Sequence, residues 1–159
     1  MECTTSARAY YIAQRPEDLA TYTHPVYGFS FSYPRDFTVH ELEAGEGELV
    51  LVENPAMGMG FQLFIVPDDE TDPLTAARIR RDLPAMPMEE VVEFTLPDET
   101  AAVRFVSHDP ALGDVGETWF RRDGYLFQLS VSAPDRELQD AWLREITMSM
   151  TFADDAMQP

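Results

Sequence analysis

The sequence predicts an α+β fold in which one antiparallel sheet of about six to eight strands packs against two main helices. From Tyr22 to Phe152, most segments alternate apolar and polar residues, as strands with one buried face do. Two segments instead carry the capping residues or the apolar spacing of a helix. The chain has 159 residues, which is the length of about one domain. We therefore predict a single domain over residues 22–153, an arm or tether over 1–21 and a disordered tail over 154–159.

Four early segments are predicted to be strands. Residues 29–33 alternate aromatic residues with serines, and Pro34 ends this strand. Residues 37–42 and 48–53 predict a hairpin, because the glycines between them can adopt the positive φ angles of a tight turn. Residues 61–66 are almost continuously apolar, which predicts a central strand covered on both faces.

The clearest local signal is the pair Asp123-Gly124, which stands between two segments rich in aromatic and β-branched residues. An Asp-Gly pair in this context predicts a two-residue type I′ turn. The resulting hairpin places Phe120 opposite Phe127, and such aromatic pairs across strands stabilise a sheet.

Two helices are predicted to interrupt the strands. Asp72 is the predicted N-cap of the first and Pro73 its first helical residue, and the helix ends at about Leu83. The acidic run over residues 68–72 is interpreted as a first turn that complements the helix macrodipole. The second helix covers about residues 134–148, and one apolar stripe on it must dock on the sheet. That stripe consists of Leu138, Trp142 and Ile146.

The charge of the chain excludes two classes of partner. It has 29 Asp and Glu residues against 11 Arg, contains no Lys and carries a formal net charge of −18. Nucleic-acid binding needs clustered cations that neutralise phosphates, so we predict no nucleic-acid partner. The same excess of acids argues against docking directly on an anionic membrane surface.

Five arginines are the places where the surface can be locally positive. Arg78, Arg80 and Arg81 lie on the first predicted helix, and Arg121 and Arg122 precede the Asp-Gly turn. In one interpretation these side chains pair with nearby Asp and Glu. In the other they contact a small anion or an acidic segment of a partner.

The sequence contains no recognisable catalytic, cofactor or metal motif. The three histidines are scattered, and no G-x-S-x-G sequence occurs. In the acidic run, Pro73 and Ile79 occupy the positions at which an EF-hand needs Gly and Glu. The G-x-G pieces at 45–47 and 58–60 are not followed by a helix and are interpreted as turns. We therefore predict no catalytic residue, no cofactor and no metal ligand.

Methionines are concentrated beside glycine and proline in two places. Met57 and Met59 alternate with two glycines, and Met86 and Met88 flank Pro87. Such flexible side chains can line an adaptable apolar surface. In the alternative interpretation, these methionines fill the core or pack within loops.

Cys3 is the only cysteine, which excludes an intramolecular disulfide. The first residues lack the basic and apolar regions of a signal peptide. Two hypotheses follow. Either the chain is cytosolic and Cys3 is incidental, or an export signal was removed or missed. In the second case Cys3 is a possible lipid attachment site, and the polar residues after it form a tether.

Three segments resemble PsbP-like domains. Residues 27–37 are similar to the opening motif G-F-S-F-x-Y-P-x-x-[WF] of that family. Residues 124–129 resemble its penultimate strand, and residues 146–152 resemble the end of its last helix. The resemblance covers about residues 22–152 and implies an α/β/α sandwich around a curved antiparallel sheet.

The resemblance also implies a type of function. The family includes an extrinsic subunit of photosystem II, a nuclear-import factor that binds a small GTPase, bacterial lipoproteins and secretion chaperones. Most of these are binding or accessory modules, so we predict a non-enzymatic domain, monomeric, that meets a protein partner outside the cytoplasm. One alternative is a cytosolic chaperone-like module that binds apolar segments. Another is an acidic protein that binds Ca²⁺ or Mn²⁺ weakly.

Overall fold

The structure, a computed structural model, describes residues 18–111 and 113–152. Its secondary structure consists of ten strands, two α-helices and one 3-10 turn in this part of the chain. The first seven elements are β1 (Leu19–Thr23), β2 (Phe29–Pro34), β3 (Thr38–Ala44), β4 (Gly47–Asn54), the 3-10 turn (Pro55–Met57), β5 (Met59–Pro67) and α1 (Ala76–Asp82). The others are β6 (Glu89–Thr95), β7 (Ala101–Asp109), β8 (Gly113–Arg122), β9 (Tyr125–Ser132), α2 (Arg136–Ser149) and β10 (Thr151–Phe152).

The strands form two antiparallel sheets. The larger sheet has seven strands in the order β3-β4-β5-β9-β8-β7-β6, and the smaller has three in the order β1-β2-β10. The α+β class and the antiparallel sheet of six to eight strands are therefore confirmed. The division into two sheets was not predicted, because the pairing of β2 with β10 joins residues about 120 positions apart in the chain.

The inner face of the seven-stranded sheet carries the main core. It is covered by α2 and by the three-stranded sheet, whose Phe31 packs edge-on against Phe61 with ring centroids 5.4 Å apart. The predicted stripe on α2 is confirmed, since Leu138, Trp142 and Ile146 are all buried. Asp135 caps this helix by accepting a hydrogen bond from the backbone N–H of Leu138 at 2.7 Å.

The outer face of the same sheet is covered only in part. A second apolar cluster lies between α1 and the neighbouring strands β7 and β8, and it includes Ile79, Phe105 and Trp119. Helix, sheet and helix thus form the three layers of the predicted sandwich. In the part of the chain that the structure describes, no element covers the outer face beyond α1, and Gln62 on β5 is exposed. The prediction that this strand is covered on both faces is therefore wrong for its outer side.

The Asp-Gly hairpin is confirmed in turn and register. Asp123 and Gly124 have φ angles of 51° and 84°, and positive values at both positions define a type I′ turn. Phe120 stands opposite Phe127, and their rings stack with centroids 5.0 Å apart.

The start of α1 differs from the prediction. The helix begins at Ala76 and not at Pro73, and its N-cap is Thr75, whose Oγ1 accepts from the backbone N–H of Arg78 at 3.2 Å. The first turn of α1 contains no acidic residue, so the macrodipole interpretation of residues 68–72 is wrong. Two of those acids, Asp68 and Glu70, pair with arginines instead.

The ends of the predicted domain are described only in part. β1 begins at Leu19 and pairs with β2 along its whole length, so the small sheet starts ahead of the predicted boundary at residue 22. The rest of the predicted arm and the predicted tail over 154–159 lie outside the described residues. No helix of the described part is long and apolar enough to cross a membrane.

Candidate binding groove

A groove with a volume of about 560 Å³ lies on the outer face of the seven-stranded sheet, beside α1. Residues of β4, β5, β7, β8 and β9 form its floor and rim. Pro55 and Gly58, at the 3-10 turn, contribute one wall, and Met86, between α1 and β6, contributes the other. The groove exists because α1 has only seven residues and leaves this part of the face uncovered.

Glu117 of β8 lies in this groove and is only 6% exposed. Its Oε1 accepts hydrogen bonds from Trp119 Nε1 at 2.9 Å and from Ser130 Oγ at 2.7 Å. Its Oε2 is 3.4 Å from Ser107 Oγ, which is a long contact. The antiparallel register places Ser130 directly opposite Glu117, and β7 supplies Ser107. A buried carboxyl and its donors from three neighbouring strands therefore form the polar centre of the groove.

Burial raises the pKa of the Glu117 carboxyl from its ordinary value of 4.5 to about 7. The hydrogen bonds from Trp119, Ser130 and Ser107 oppose this rise in pKa, because they favour the ionised form. Near neutral pH the Glu117 carboxyl is therefore ionised in some molecules and neutral in others. Carboxyls with strongly raised pKa values in clefts are enriched at functional sites.

Three other titratable residues of the described chain line the groove: Glu53 on β4, and His108 and Asp109 at the end of β7. His108 Nδ1 lies 3.2 Å from Asp114 Oδ1, and both side chains are exposed. Asp109 Oδ1 accepts a hydrogen bond from the backbone N–H of Ala111 at 2.7 Å, which holds this carboxylate in the turn after β7. No arginine is found among the described residues that line the groove, so their ionisable side chains are three carboxyl groups and the imidazole of His108.

Comparison with protein-family models and with curated proteins finds no match. Among solved structures, the chain is similar to the solution structure of cyanobacterial PsbP (CyanoP) from Synechocystis sp. PCC 6803. The alignment has a TM-score of 0.65 and 13% sequence identity, and it covers 88% of this chain and 95% of that chain. This chain has a PsbP-like fold. The resemblance that residues 27–37, 124–129 and 146–152 indicate is therefore confirmed at the level of the fold.

In this PsbP-like fold, two of the five predicted contact arginines join one ion-pair network. Arg121 Nε lies 2.7 Å from Asp68 Oδ2, and Arg78 pairs with Glu70 and, at 2.8 Å, with Asp82. Arg121 also approaches Glu70 at 3.5 Å, so this carboxylate joins the two arginines. The network ties α1 and the segment before it to the outer face of the sheet.

Of the other three arginines, only Arg81 approaches that network, through Asp82. Arg122 pairs with Asp98, and its guanidinium stands 4.2 Å from the centre of the Phe152 ring. Arg80 and Arg81 are exposed on the last turn of α1, where Arg81 Nε is 3.6 Å from Asp82 Oδ1. The structure thus does not bring the five arginines together as one surface. Their contact with an anion or a partner stays a prediction.

Two further sequence predictions concern ligands and attachment. Within residues 18–111 and 113–152, no group of three or more His, Cys, Asp or Glu side chains is placed to hold a metal ion. Cys3 lies outside the described residues, so its lipid attachment also stays a prediction.

Sequence reasoning missed Glu117, although a signal for it exists. Val115, Glu117 and Trp119 occupy alternate positions and so share one face of β8, where a lone acid stands between two apolar residues. An acid in that position is either exposed or buried with partners. Only the neighbouring strands decide which, and here they bury it.

The methionine pattern located part of the groove. Met59 and Met86, which lie 27 positions apart in the sequence, both line it. Met59 is also buried in the main core, against which Met57 packs, and both Met86 and Met88 pack against the cluster under α1. All four methionines therefore fill apolar clusters, as the alternative interpretation predicts, and two of them also line the groove.

Proposed function

We propose that this PsbP-like protein is a non-catalytic binding domain that holds a segment of a protein partner in the groove. The observation that carries this proposal is the buried Glu117 carboxyl inside an open groove of about 560 Å³. Binding sites commonly have this form, a concave surface with apolar lining and a few fixed polar groups. The net charge of −18 opposes self-association, which agrees with a monomer.

The arrangement of the polar groups supports binding rather than catalysis. Trp119 Nε1 and Ser130 Oγ donate to Glu117 Oε1 at 2.9 and 2.7 Å, and these two hydrogen bonds hold the carboxyl in place. His108 faces Asp114 at the exposed rim. A preorganised polar centre of this kind orients a bound group at little entropic cost.

The walls of the groove support a peptide as the occupant. Met86 has a flexible side chain that can adapt to different neighbours. Gln62, Ser130 and Ser132 present amide and hydroxyl groups along two adjacent strands, where they can meet the backbone of an extended segment.

The proposal is tested by selecting peptides from a random phage-displayed library on the immobilised full chain. The selected peptides are then titrated against two variants, Gln62→Trp and Thr21→Trp. Gln62 lies in the groove, so the indole blocks it, whereas Thr21 is an exposed residue of β1 in the small sheet. Tryptophan is well tolerated in strands, so both variants are expected to fold.

We expect Gln62→Trp to weaken peptide binding at least about tenfold, and Thr21→Trp to leave it unchanged. Failure to enrich any peptide, or equal affinity for both variants, contradicts binding in the groove. Circular dichroism spectra that match the wild type confirm that each variant is folded.

We also propose that the protein works outside the cytoplasm, tethered by a lipid on Cys3. The polar residues Thr4, Thr5 and Ser6 that follow this cysteine in the sequence support this proposal. The test expresses the gene with its upstream region in its native host and partitions the protein between detergent and water. We expect the wild type in the detergent phase and Cys3→Ser in the aqueous phase, and a wild type found only in water contradicts the tether.

A further inference from the structure

We infer that the group bound in the groove is an arginine side chain of the partner, with its guanidinium against Glu117 and its aliphatic stem along the apolar wall. This inference rests on the proposed function, because it names the chemistry of the segment that the groove holds. Three features of the groove carry it: its charge, the acceptor capacity of Glu117 and its mixed lining.

The charge of the groove selects a cation. Glu53, Asp109 and Glu117 contribute three carboxyl groups, and no described residue of its lining is an arginine. The arginines Arg78 and Arg121 are nearby on the same face of the sheet, but they are held by Asp68 and Glu70. A positively charged side chain from outside therefore meets the carboxyl groups of Glu53 and Glu117, beside which no arginine stands among the described residues of the lining.

Glu117 has room for one more strong donor. An ionised carboxylate offers about four acceptor positions on its two oxygens. Oε1 accepts from Trp119 Nε1 and Ser130 Oγ at ordinary distances, whereas Oε2 has only the 3.4 Å contact with Ser107 Oγ. The geometry thus leaves Oε2 as the oxygen that can accept from a guest. A guanidinium N–H forms a charge-assisted bond with such an oxygen.

The mixed lining favours arginine over lysine. Leu51, Met86 and Val115 contribute apolar surface beside the carboxyls, which suits the aliphatic stem of a long side chain. A guanidinium is more weakly hydrated than an ammonium group and loses less on entering a partly apolar groove. Its planar fork also fixes several donors at once, which matches the hydroxyl and carboxyl oxygens of the floor.

The test uses the peptide acetyl-Ser-Leu-Arg-Leu-Ser-amide as the probe and the same peptide with citrulline in place of arginine as its neutral isostere. Each is titrated into the full chain at low salt and pH 7.5, with affinity and binding site measured by NMR chemical-shift changes. Two variants remove one negative charge each: Glu117→Gln in the groove and Glu46→Gln in the exposed β3–β4 turn.

We expect the arginine peptide to bind at least about tenfold more tightly than the citrulline peptide, because a hydrogen bond between charged groups is worth that factor or more. Glu117→Gln is expected to remove most of this preference, and Glu46→Gln to retain it. If Glu46→Gln weakens binding as much as Glu117→Gln, general attraction to an acidic surface explains the binding without a specific contact to Glu117. The inference is then wrong. Glu53→Gln provides a second groove variant should Glu117→Gln not fold.

A second readout separates contact with Glu117 from attraction at a distance. At pH 7 a cation that contacts Glu117 lowers the pKa of this carboxyl and releases a proton. Calorimetry in two buffers of different ionisation enthalpy measures that proton. Glu53, His108 and Asp109 also face the groove, so Glu117→Gln must abolish the release if Glu117 is its source.

The outcomes distinguish this inference from the proposed function. Equal binding of the arginine and citrulline peptides in the groove overturns the inference and leaves the proposed function standing. Such a result also favours the alternative of a chaperone-like module for apolar segments. Absence of any binding by these peptides and by library-selected peptides overturns both.

Discussion

At the scale of single residues, Glu117 is the group whose properties depend most on the fold. Burial places its pKa at about 7, so between pH 4.5 and 7 the folded protein retains a proton that the unfolded chain has released. Because the folded state binds more protons in this window, stability decreases as pH rises through it. Above pH 7 the buried carboxyl is ionised, and the free energy of unfolding is lower by roughly 3 kcal/mol than it is below pH 4.5.

This property predicts the behaviour of Glu117→Gln, which keeps the shape of the side chain and cannot ionise. The free energy of unfolding of the variant, relative to the wild type, should rise by roughly 3 kcal/mol between pH 4 and pH 8. Urea denaturation at several pH values measures this difference. Glu46→Gln, in an exposed turn, serves as the control and should show no such trend. If the difference in free energy of unfolding between Glu117→Gln and the wild type does not change with pH, the carboxyl is not desolvated in the folded protein, which contradicts the structure.

At the scale of secondary-structure elements, α1 depends on contacts outside itself. A helix of seven residues is too short to be stable alone, and it buries only Ala76 and Ile79. Its position is set by the apolar cluster below it and by the pairs of Arg121 with Asp68 and of Arg78 with Glu70. These contacts also hold the segment that contributes Met86 to the groove.

Removing the charge of Arg121 should therefore loosen this part of the fold. Arg121 and Asp68 are only 11% and 15% exposed, so Arg121→Met leaves a poorly hydrated carboxylate without its partner. We expect a loss of about 1–3 kcal/mol in the free energy of unfolding and faster amide hydrogen exchange in α1.

Arg144→Met is the matched control, because Arg144 pairs with Asp140 on the exposed side of α2. Its stability should stay within about 0.5 kcal/mol of the wild type. If both arginine variants behave alike, the network does not anchor α1.

At the scale of the whole molecule, the net charge of −18 is distributed in a way that the composition does not reveal. The structure pairs Arg78, Arg121 and Arg122 with acids of their own chain and leaves the groove lined by carboxyl groups. The sequence presents these arginines as the candidate contact points. Because these three partly buried arginines already pair with acids of their own chain, we propose the acidic groove as the binding surface in their place.

The sequence by itself determined the features that depend on neighbours close in the chain. The type I′ turn at Asp123-Gly124 and the apolar stripe of α2 follow from local backbone preferences and from periodicity. The PsbP-like fold was also recognisable, because each of its motifs is a short continuous segment that forms one strand or the end of one helix.

Only the tertiary structure decided the start of α1, the separate small sheet and the groove. Asp68 pairs with Arg121, 53 residues away, and this pairing takes the acidic run away from the helix that it was predicted to begin. Glu117 is buried because β7 and β9 flank it and supply Ser107 and Ser130. Burial, hydrogen bonding and charge pairing are set by residues that the chain brings together over long separations, so no local pattern in the sequence contains them.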